Sequence, residues 1–262
     1  MVLLKIVICT LVFLFGASVF SFINVLIYRV PRHLPFGNER SFCPACKRTL
    51  KPCDMIPVLG YLILGGKCRY CKSHISLRYP LIESLGGLSA LFVLWYYGRE
   101  GEYGAYTLVR MIITFAVLAL LTAVAFVDLD TMEIPNGFII AIFVCALAAV
   151  FCFPEVSLLS RVIGIFVISL PLTLITCLIP GAFGGGDIKL MAALGMFMGW
   201  KVSIVAFFLS VLTGGAYGIY LLLSKKKGRK DHFAFGPFLC VGAAVAVFYG
   251  GALIDWYLGF LS

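Results

Sequence analysis

Apolar residues run through this chain in long, almost unbroken stretches, separated by short polar clusters. They do not recur at the helical or strand spacing of a soluble fold. A membrane span needs about 20 apolar residues, and eight stretches read as spans: roughly 4–29, 80–97, 107–127, 135–153, 158–180, 187–199, 201–223 and 234–260. The sixth is the shortest. The first is too long for a signal peptide and runs through Asn24 into Arg29 without a small-residue cleavage pattern, so it is read as a retained helix. The pattern predicts an all-α polytopic membrane protein of about eight transmembrane helices. Its organisation reads as a first transmembrane helix (1–30), a polar module (31–79) and a helical bundle (80–262). Ser210, Gly214 and Gly218 recur every four positions, a spacing that lets helices approach closely in lipid.

Composition agrees: 62% of residues are hydrophobic and 13% charged, far from a soluble domain. The net charge of +9 does not indicate nucleic acid, because the basic residues are not spread over a surface. They concentrate between Arg32 and Arg78 and in Lys225–Lys230. Under the positive-inside rule both segments are cytoplasmic. With eight helices the first and seventh loops share a side, so the two clusters agree on one topology. Both termini then face outward, and Asp128 and Asp187 fall on the cytoplasmic side.

The polar module carries C-P-A-C at Cys43–Cys46 and C-R-Y-C at Cys68–Cys71. Each pair can offer two thiolates from one tight turn, and Cys43, Cys46, Cys68 and Cys71 together suit a closed, structural Zn²⁺ site resembling a zinc ribbon. Disulfides are the rival reading, which a reducing cytoplasmic compartment disfavours. Cys53 is spare, and His33 and His74 are alternative ligands or plain surface histidines. So small a module lacks a core of its own, and its expected role is to present a substrate or partner over the membrane. Cys9, Cys145, Cys152, Cys177 and Cys240 lie in apolar runs, where cysteine behaves as a small hydrophobe.

Asp128 and Asp187 stand where apolar runs meet the membrane surface. A carboxylate in the bilayer costs roughly 2.5–3.5 kcal/mol even on the lenient insertion scale, so such residues usually line a site. Asp128 is read as ending a span in F-V-D-L-D-T-M-E-I-P-N, with Pro135 at the first position of the next helix. In P-G-A-F-G-G-G-D-I-K-L, Gly184, Gly185 and Gly186 admit backbone conformations closed to other residues and deliver Asp187 to a helix N-terminus. The run lacks the full phosphate-loop pattern. Two carboxylates in one pocket suffice for peptide hydrolysis: one takes a proton from water while the other, protonated, donates to the carbonyl. They would titrate as a coupled unit. Capping of helix ends is the plainer reading of the same two residues.

These runs, with G-A-S-V-F-S-F-I-N-V-L-I-Y-R-V-P (Gly16–Pro31), D-M-I-P (Asp54–Pro57), I-S-L-R-Y-P-L-I-E (Ile75–Glu83) and F-G-P-F-L (Phe235–Leu239), resemble the prepilin peptidase family, or type IV leader peptidases. That family shares a G-x-G-D motif with presenilin-like intramembrane aspartyl proteases. The resemblance covers nearly the whole chain and implies Asp128 and Asp187 as the catalytic pair. It implies cleavage of the basic leader from prepilins and pseudopilins at the cytoplasmic face of a bacterial inner membrane. It also implies methylation of the new N-terminus with S-adenosylmethionine, for which the residues show no cofactor loop of their own. Two departures stand out: His232-Phe233-Ala234 precedes F-G-P where a proline is frequent, and Asn136 follows Pro135 where an aspartate is frequent.

Asp130 lacks the six-residue spacing to Ile134, and Glu133 fits less well. Glu83 is placed to bind the leader's positive charge or a cofactor amine, or to pair with Arg78 or Arg110. Lys189 is placed to steady an anionic intermediate or to snorkel to the interface. Asn24 and Arg29 suit polar packing within the first helix. Two other classes remain open on sequence alone: a transporter with broken helices near Gly184–Asp187, and a non-catalytic scaffold acting through the zinc module.

Overall fold

A computed structural model describes residues 2–35, 41–99, 104–224 and 233–261; the Lys225–Lys230 cluster and His232 lie outside them. Eight long helices occupy the eight expected stretches: α1 (Val2–Arg29), α3 (Arg78–Gly98), α4 (Ala105–Thr131), α5 (Asn136–Cys152), α6 (Leu158–Leu178), α7 (Gly185–Met198), α8 (Trp200–Leu223) and α9 (Gly236–Leu261). The polar module adds a one-turn helix, α2 (Leu59–Ile63). Among the described residues six helices, α1, α3, α4, α6, α8 and α9, are long and apolar enough to cross a bilayer. The chain is an all-α, multi-pass membrane protein. At 14 residues, α7 rises only about 21 Å, against a hydrocarbon core of about 30 Å.

Contacts divide the chain into two units, 1–103 and 104–262. Within the first unit α3 packs on α1. Glycine makes that packing possible. A Cβ on Gly16 would stand 2.4 Å from the Gly86 carbonyl oxygen, and one on Gly86 would run into the Phe20 ring at 2.3 Å. Small residues set the approach of the two helices, as they commonly do in lipid.

In the second unit α6 and α7 meet equally closely: a Cβ on Gly195 would lie 2.0 Å from the Gly164 carbonyl oxygen. The Ser210–Gly214–Gly218 stripe faces α9 and the segment before it. Ser210 lies under Gly242, Gly214 under the Phe235 and Phe238 rings, and Gly218 near the Phe233 ring.

The starts of α5 and α7 are joined by Lys189 Nζ, which donates to Asn136 Oδ1 at 3.1 Å. Their ends are joined by Arg161, at the start of α6 and completely buried. Its guanidinium donates to the carbonyls of Ala149 and Phe153 at the end of α5, Met196 and Phe197 at the end of α7, and Val156 between them. The two short helices thus run parallel, with α6 returning between their ends. Helix C-termini leave carbonyls without intrahelical partners, and Arg161 satisfies both sets. Arg110 ties down the same end through the Cys152 carbonyl, at 2.7 Å, and Glu155, so Glu155 and not Glu83 is its partner.

Replacing Arg161 by Met would leave a set of buried and part-buried carbonyls without their donor. The expected loss is about 3–5 kcal/mol, seen as a lower Tm and denaturation midpoint of the purified protein in detergent. Arg161→Lys should recover only part of it, since one ammonium cannot fork across five acceptors.

Candidate active site and metal centre

Asp128 lies inside α4 rather than ending it. The helix continues to Thr131 and closes at Met132, whose φ is +54° and whose N–H donates to the Asp128 carbonyl at 2.8 Å. Pro135 is the N-cap of α5, one position before the expected place, leaving Asn136 as the first helical residue. Its φ of −61° and ψ of 131° give an extended entry, and the missing N–H costs nothing outside the helix.

Asp187 stands at the third position of α7, as expected from its glycine run, and its Oδ2 accepts the Gly184 N–H at 3.3 Å. The glycines serve a different purpose from the one their flexibility suggests. None of Gly184, Gly185 and Gly186 has a positive φ; space is what two of them supply. A Cβ on Gly186 would press on Ile134 Cβ at 2.9 Å, and one on Gly184 would approach Asp187 Oδ2 at 3.2 Å. Ile134 thereby links the turn after Asp128 to the loop carrying Asp187, which gives the six-residue spacing from Asp128 to Ile134 a physical meaning.

A third element closes the constellation. Gly236, the first residue of α9, donates its N–H to Asp128 Oδ2 at 2.9 Å in a buried bond. A Cβ at this position would sit 2.6 Å from that oxygen, so only glycine lets the helix start this close. The following Pro237 has no N–H to compete. The Phe183 and Phe235 rings, 6.0 Å apart and nearly edge to face, join the glycine loop to this segment. The F-G-P-F-L run was visible in the sequence, but nothing in its composition marked Gly236 as a partner of Asp128.

Asp128 and Asp187 are buried, and Asp187 feels the charge of Asp128. Each has one oxygen held by a main-chain amide. Among the described residues no other group hydrogen-bonds them, and no enclosed side-chain oxygen lacks a partner. Their second oxygens are therefore the ones that water or a substrate can reach. Cys240, one turn into α9 and buried, lies within electrostatic range of both. Asp130 and Glu133 are exposed. Lys189 is engaged with Asn136, the residue that departs from the family pattern, and does not contact either aspartate.

In the first unit the four thiols of Cys43, Cys46, Cys68 and Cys71 lie within 4.8 Å of one another. A tetrahedral thiolate site with metal–sulfur bonds of about 2.3 Å needs sulfurs about 3.8 Å apart, and the Cys43–Cys71 separation is 3.9 Å. The four residues could hold a metal ion. Two knuckles of the same construction present them. Cys43 N–H donates to Arg48 O and Lys47 N–H to Cys43 O; Cys68 N–H donates to Ser73 O and Lys72 N–H to Cys68 O. Lys47 and Lys72 both carry a φ near +60°.

Burial pushes the Cys43 thiol up, but the amides of Cys46 and Ala45 with the Cys68 and Ser73 side chains outweigh it and hold it at about 6. The Arg48 amide draws Cys46 down, yet partial burial and its three cysteine neighbours carry it up to about 11. The Ser73 side chain and amide draw Cys71 down as well, so Cys43 and Cys71 favour the thiolate while Cys46 resists it, a resistance that a bound cation would relieve. His33, His74 and Cys53 are exposed and outside the cluster.

Asp54 clamps the module by pairing with Arg69 at 2.6 Å. The guanidinium holds the Asp54 carboxyl below its ordinary range. The stability from this pair is present at neutral pH and is lost as pH falls through the lowered value. Glu83 pairs with neither Arg78 nor Arg110: its Oε2 accepts the Val58 N–H at 2.8 Å, tying α3 to the module.

Comparison with known proteins covers both units. A family model described as Bacterial Peptidase A24 N-terminal domain matches residues 14–97, and one described as Type IV leader peptidase family matches residues 115–219. A prepilin leader peptidase/N-methyltransferase of Legionella pneumophila is 31% identical, over 94% of this chain and 93% of its own. The protein of the same name from Bacillus subtilis is 33% identical, over 95% of this chain and 97% of its own. That from Pseudomonas aeruginosa is 29% identical, over 98% and 95%. No solved structure matches. With relatives above 30% identity along almost the full length of both chains, this protein belongs to the type IV leader peptidase family.

Proposed function

We propose that this chain cleaves the basic leader from prepilins and related secretion subunits and methylates the N-terminus so exposed, with Asp128 and Asp187 as the catalytic pair. The observation that carries the peptidase reading is the pair of buried carboxylates, Asp187 within reach of the Asp128 charge and each with one oxygen fixed by a backbone amide. One aspartate, ionised, takes a proton from a water held between them as the water oxygen attacks the scissile carbonyl. The other, protonated, gives its proton to the carbonyl oxygen. When the tetrahedral intermediate collapses, a proton passes to the departing amine and the pair regains its starting state. The amides of Gly184 and Gly236 hold the carboxylates in place through this exchange.

Gly184 and Gly186 keep the loop open enough for an extended peptide, Pro135 sets the entry to α5, and Lys189 braces α7 against Asn136. The ion in the four-cysteine module is Zn²⁺, for which the sulfur spacing and an all-thiolate donor set are apt. Cys43, Cys46, Cys68 and Cys71 hold it in a closed shell, and its role is to keep the module's shape. S-adenosylmethionine, when bound, supplies the methyl group through its sulfonium. The enzyme resides in the bacterial inner membrane with both termini outside. The module and the aspartates face the cytoplasm, where a leader meets its hydrophobic helix.

Asp128→Asn and Asp187→Asn should each cut the cleavage rate of a purified prepilin by about 10³-fold or more, followed by product mass; residual cleavage near the wild-type rate in either variant removes that residue from the pair. Gly236→Ala, which forces the Asp128 carboxylate to move, should cost about 10²-fold in rate with little change in Tm. Elemental analysis of the purified protein should give one zinc per chain, and Cys43→Ser or a strong chelator should empty the site and lower the Tm.

A further inference from the structure

The cysteine module is polar in sequence, yet it bares one apolar face. Met55, Ile56, Leu59, Leu62 and Ile63 are all exposed, from 38% at Met55 to 71% at Ile63. Leu59, Leu62 and Ile63 stand three and four positions apart and so share one side of α2. Gly60 and Tyr61 turn the other way. A Cβ on Gly60 would stand 2.6 Å from the Asp54 carbonyl oxygen, so α2 rests on the turn Pro52–Met55 through a residue without a side chain. The Tyr61 ring lies against Gly66.

The height of this face is set by α3. Val58, just before α2, donates its N–H to Glu83 Oε2 at 2.8 Å. It has φ +61° and ψ −52°, and Leu59 N–H closes on the Pro57 carbonyl at 2.6 Å. This is the strained form of the γ-turn, an outlier for a β-branched residue, and such strain collects at functional sites. Here it aims the Val58 amide at α3. Glu83 stands five residues past the first residue of α3, about 7.5 Å along the helix axis. The exposed apolar stripe of that helix, Leu77, Leu81, Leu85 and Leu88, begins before this point. On a helix that crosses a bilayer such a stripe faces lipid. The start of α2 is therefore level with lipid-facing residues and not above them.

Apolar side chains left in water forfeit the gain of burial, whereas an interfacial segment sinks its apolar face about 5–10 Å into the boundary of headgroups and acyl chains. The charge of the module points to the same partner. Residues 31–79 carry nine lysines and arginines against two acids, and Lys51 and Lys67 are exposed on either side of the apolar stretch. Such clusters are drawn to anionic headgroups. We propose that the face of Met55, Ile56, Leu59, Leu62 and Ile63 lies in the bilayer surface, with Lys51 and Lys67 against the phosphates of anionic lipids. The leaflet is the one that α1 and α3 already cross, so the contact extends an interface the first unit has in any case. The bilayer then stands in for the core that the module lacks, and it holds the four-cysteine cluster at a set height over the membrane. This contact needs only a chain that spans the bilayer, whichever reaction its aspartates run.

The test uses the full chain with its metal bound, in vesicles of phosphatidylethanolamine and phosphatidylglycerol. The photoreactive residue p-benzoylphenylalanine is placed in turn at Leu59, Tyr61, Leu62 and Ile63, and at Leu81 as the lipid-facing reference, and adducts are identified by mass. Metal content reports whether each variant keeps the module folded; with three positions on the face, loss of one leaves the others to decide. Leu59, Leu62 and Ile63 should give lipid adducts within about twofold of the Leu81 yield, and Tyr61 less than about a tenth of it. Lys51→Gln with Lys67→Gln, or vesicles of phosphatidylcholine alone, should lower the yield at Leu62 about threefold and leave Leu81 unchanged. Four results would overturn the proposal: no lipid adduct at Leu62 and Ile63, an equal yield at Tyr61, crosslinks to a second copy of the chain or to an added prepilin in place of lipid, or a Leu62 yield indifferent to both changes of charge.

Discussion

Lipid offers no hydrogen bonds, and the second unit is organised around that shortage. A helix that ends early must find partners for its last carbonyls or lose several kcal/mol. Two helices here do end early, α5 at 17 residues and α7 at 14, and both terminate on the one guanidinium of Arg161. Because Arg161 fixes one pair of ends, the opposite pair is fixed as well, and there the Asn136 and Gly185 starts are braced by Lys189. The short length of α7 follows from what its first turn carries. Its N-terminus is set by the aspartate loop, and its C-terminus by the arginine.

The same shortage shapes the aspartate pair. A buried carboxylate needs donors, and side-chain donors would themselves need packing and satisfaction. Both aspartates instead draw on amides left over at helix starts, Gly184 before α7 and Gly236 at the head of α9. Such amides are unpaired in any helix, and the local dipole favours a negative charge. The first unit solves a different problem. With little core in the cysteine module, its shape comes from two knuckles, the Asp54–Arg69 pair and the bond from Val58 to Glu83.

Much of this was legible in the residues. Apolar runs located all eight long helices, with ends within about two residues except at α4, which runs on to Thr131 past the expected 127, because length and hydropathy dominate in lipid. Two C-x-x-C pairs announced the four-sulfur cluster, and the charge distribution separated a membrane signal from a nucleic-acid one. Other features were hidden because they depend on through-space proximity. Arg161 sits in an apolar run with no acidic neighbour at helical spacing, so nothing local announced a role for it. Gly236 was indistinguishable from a packing glycine. Conformational freedom was the natural explanation for Gly184 and Gly186, whereas space for a carboxylate and for Ile134 is what they provide. The packing of α3 on α1 was hidden for the same reason, since those contacts are written in glycines that carry no directional signal.

The main-chain origin of the two carboxylate contacts bears on how this family can diverge. A donor that belongs to the backbone is not encoded by any side chain, so drift at neighbouring positions leaves it in place unless a proline removes the N–H or bulk blocks the approach. The surroundings of the aspartates can therefore be rewritten extensively while the orientation of the pair persists.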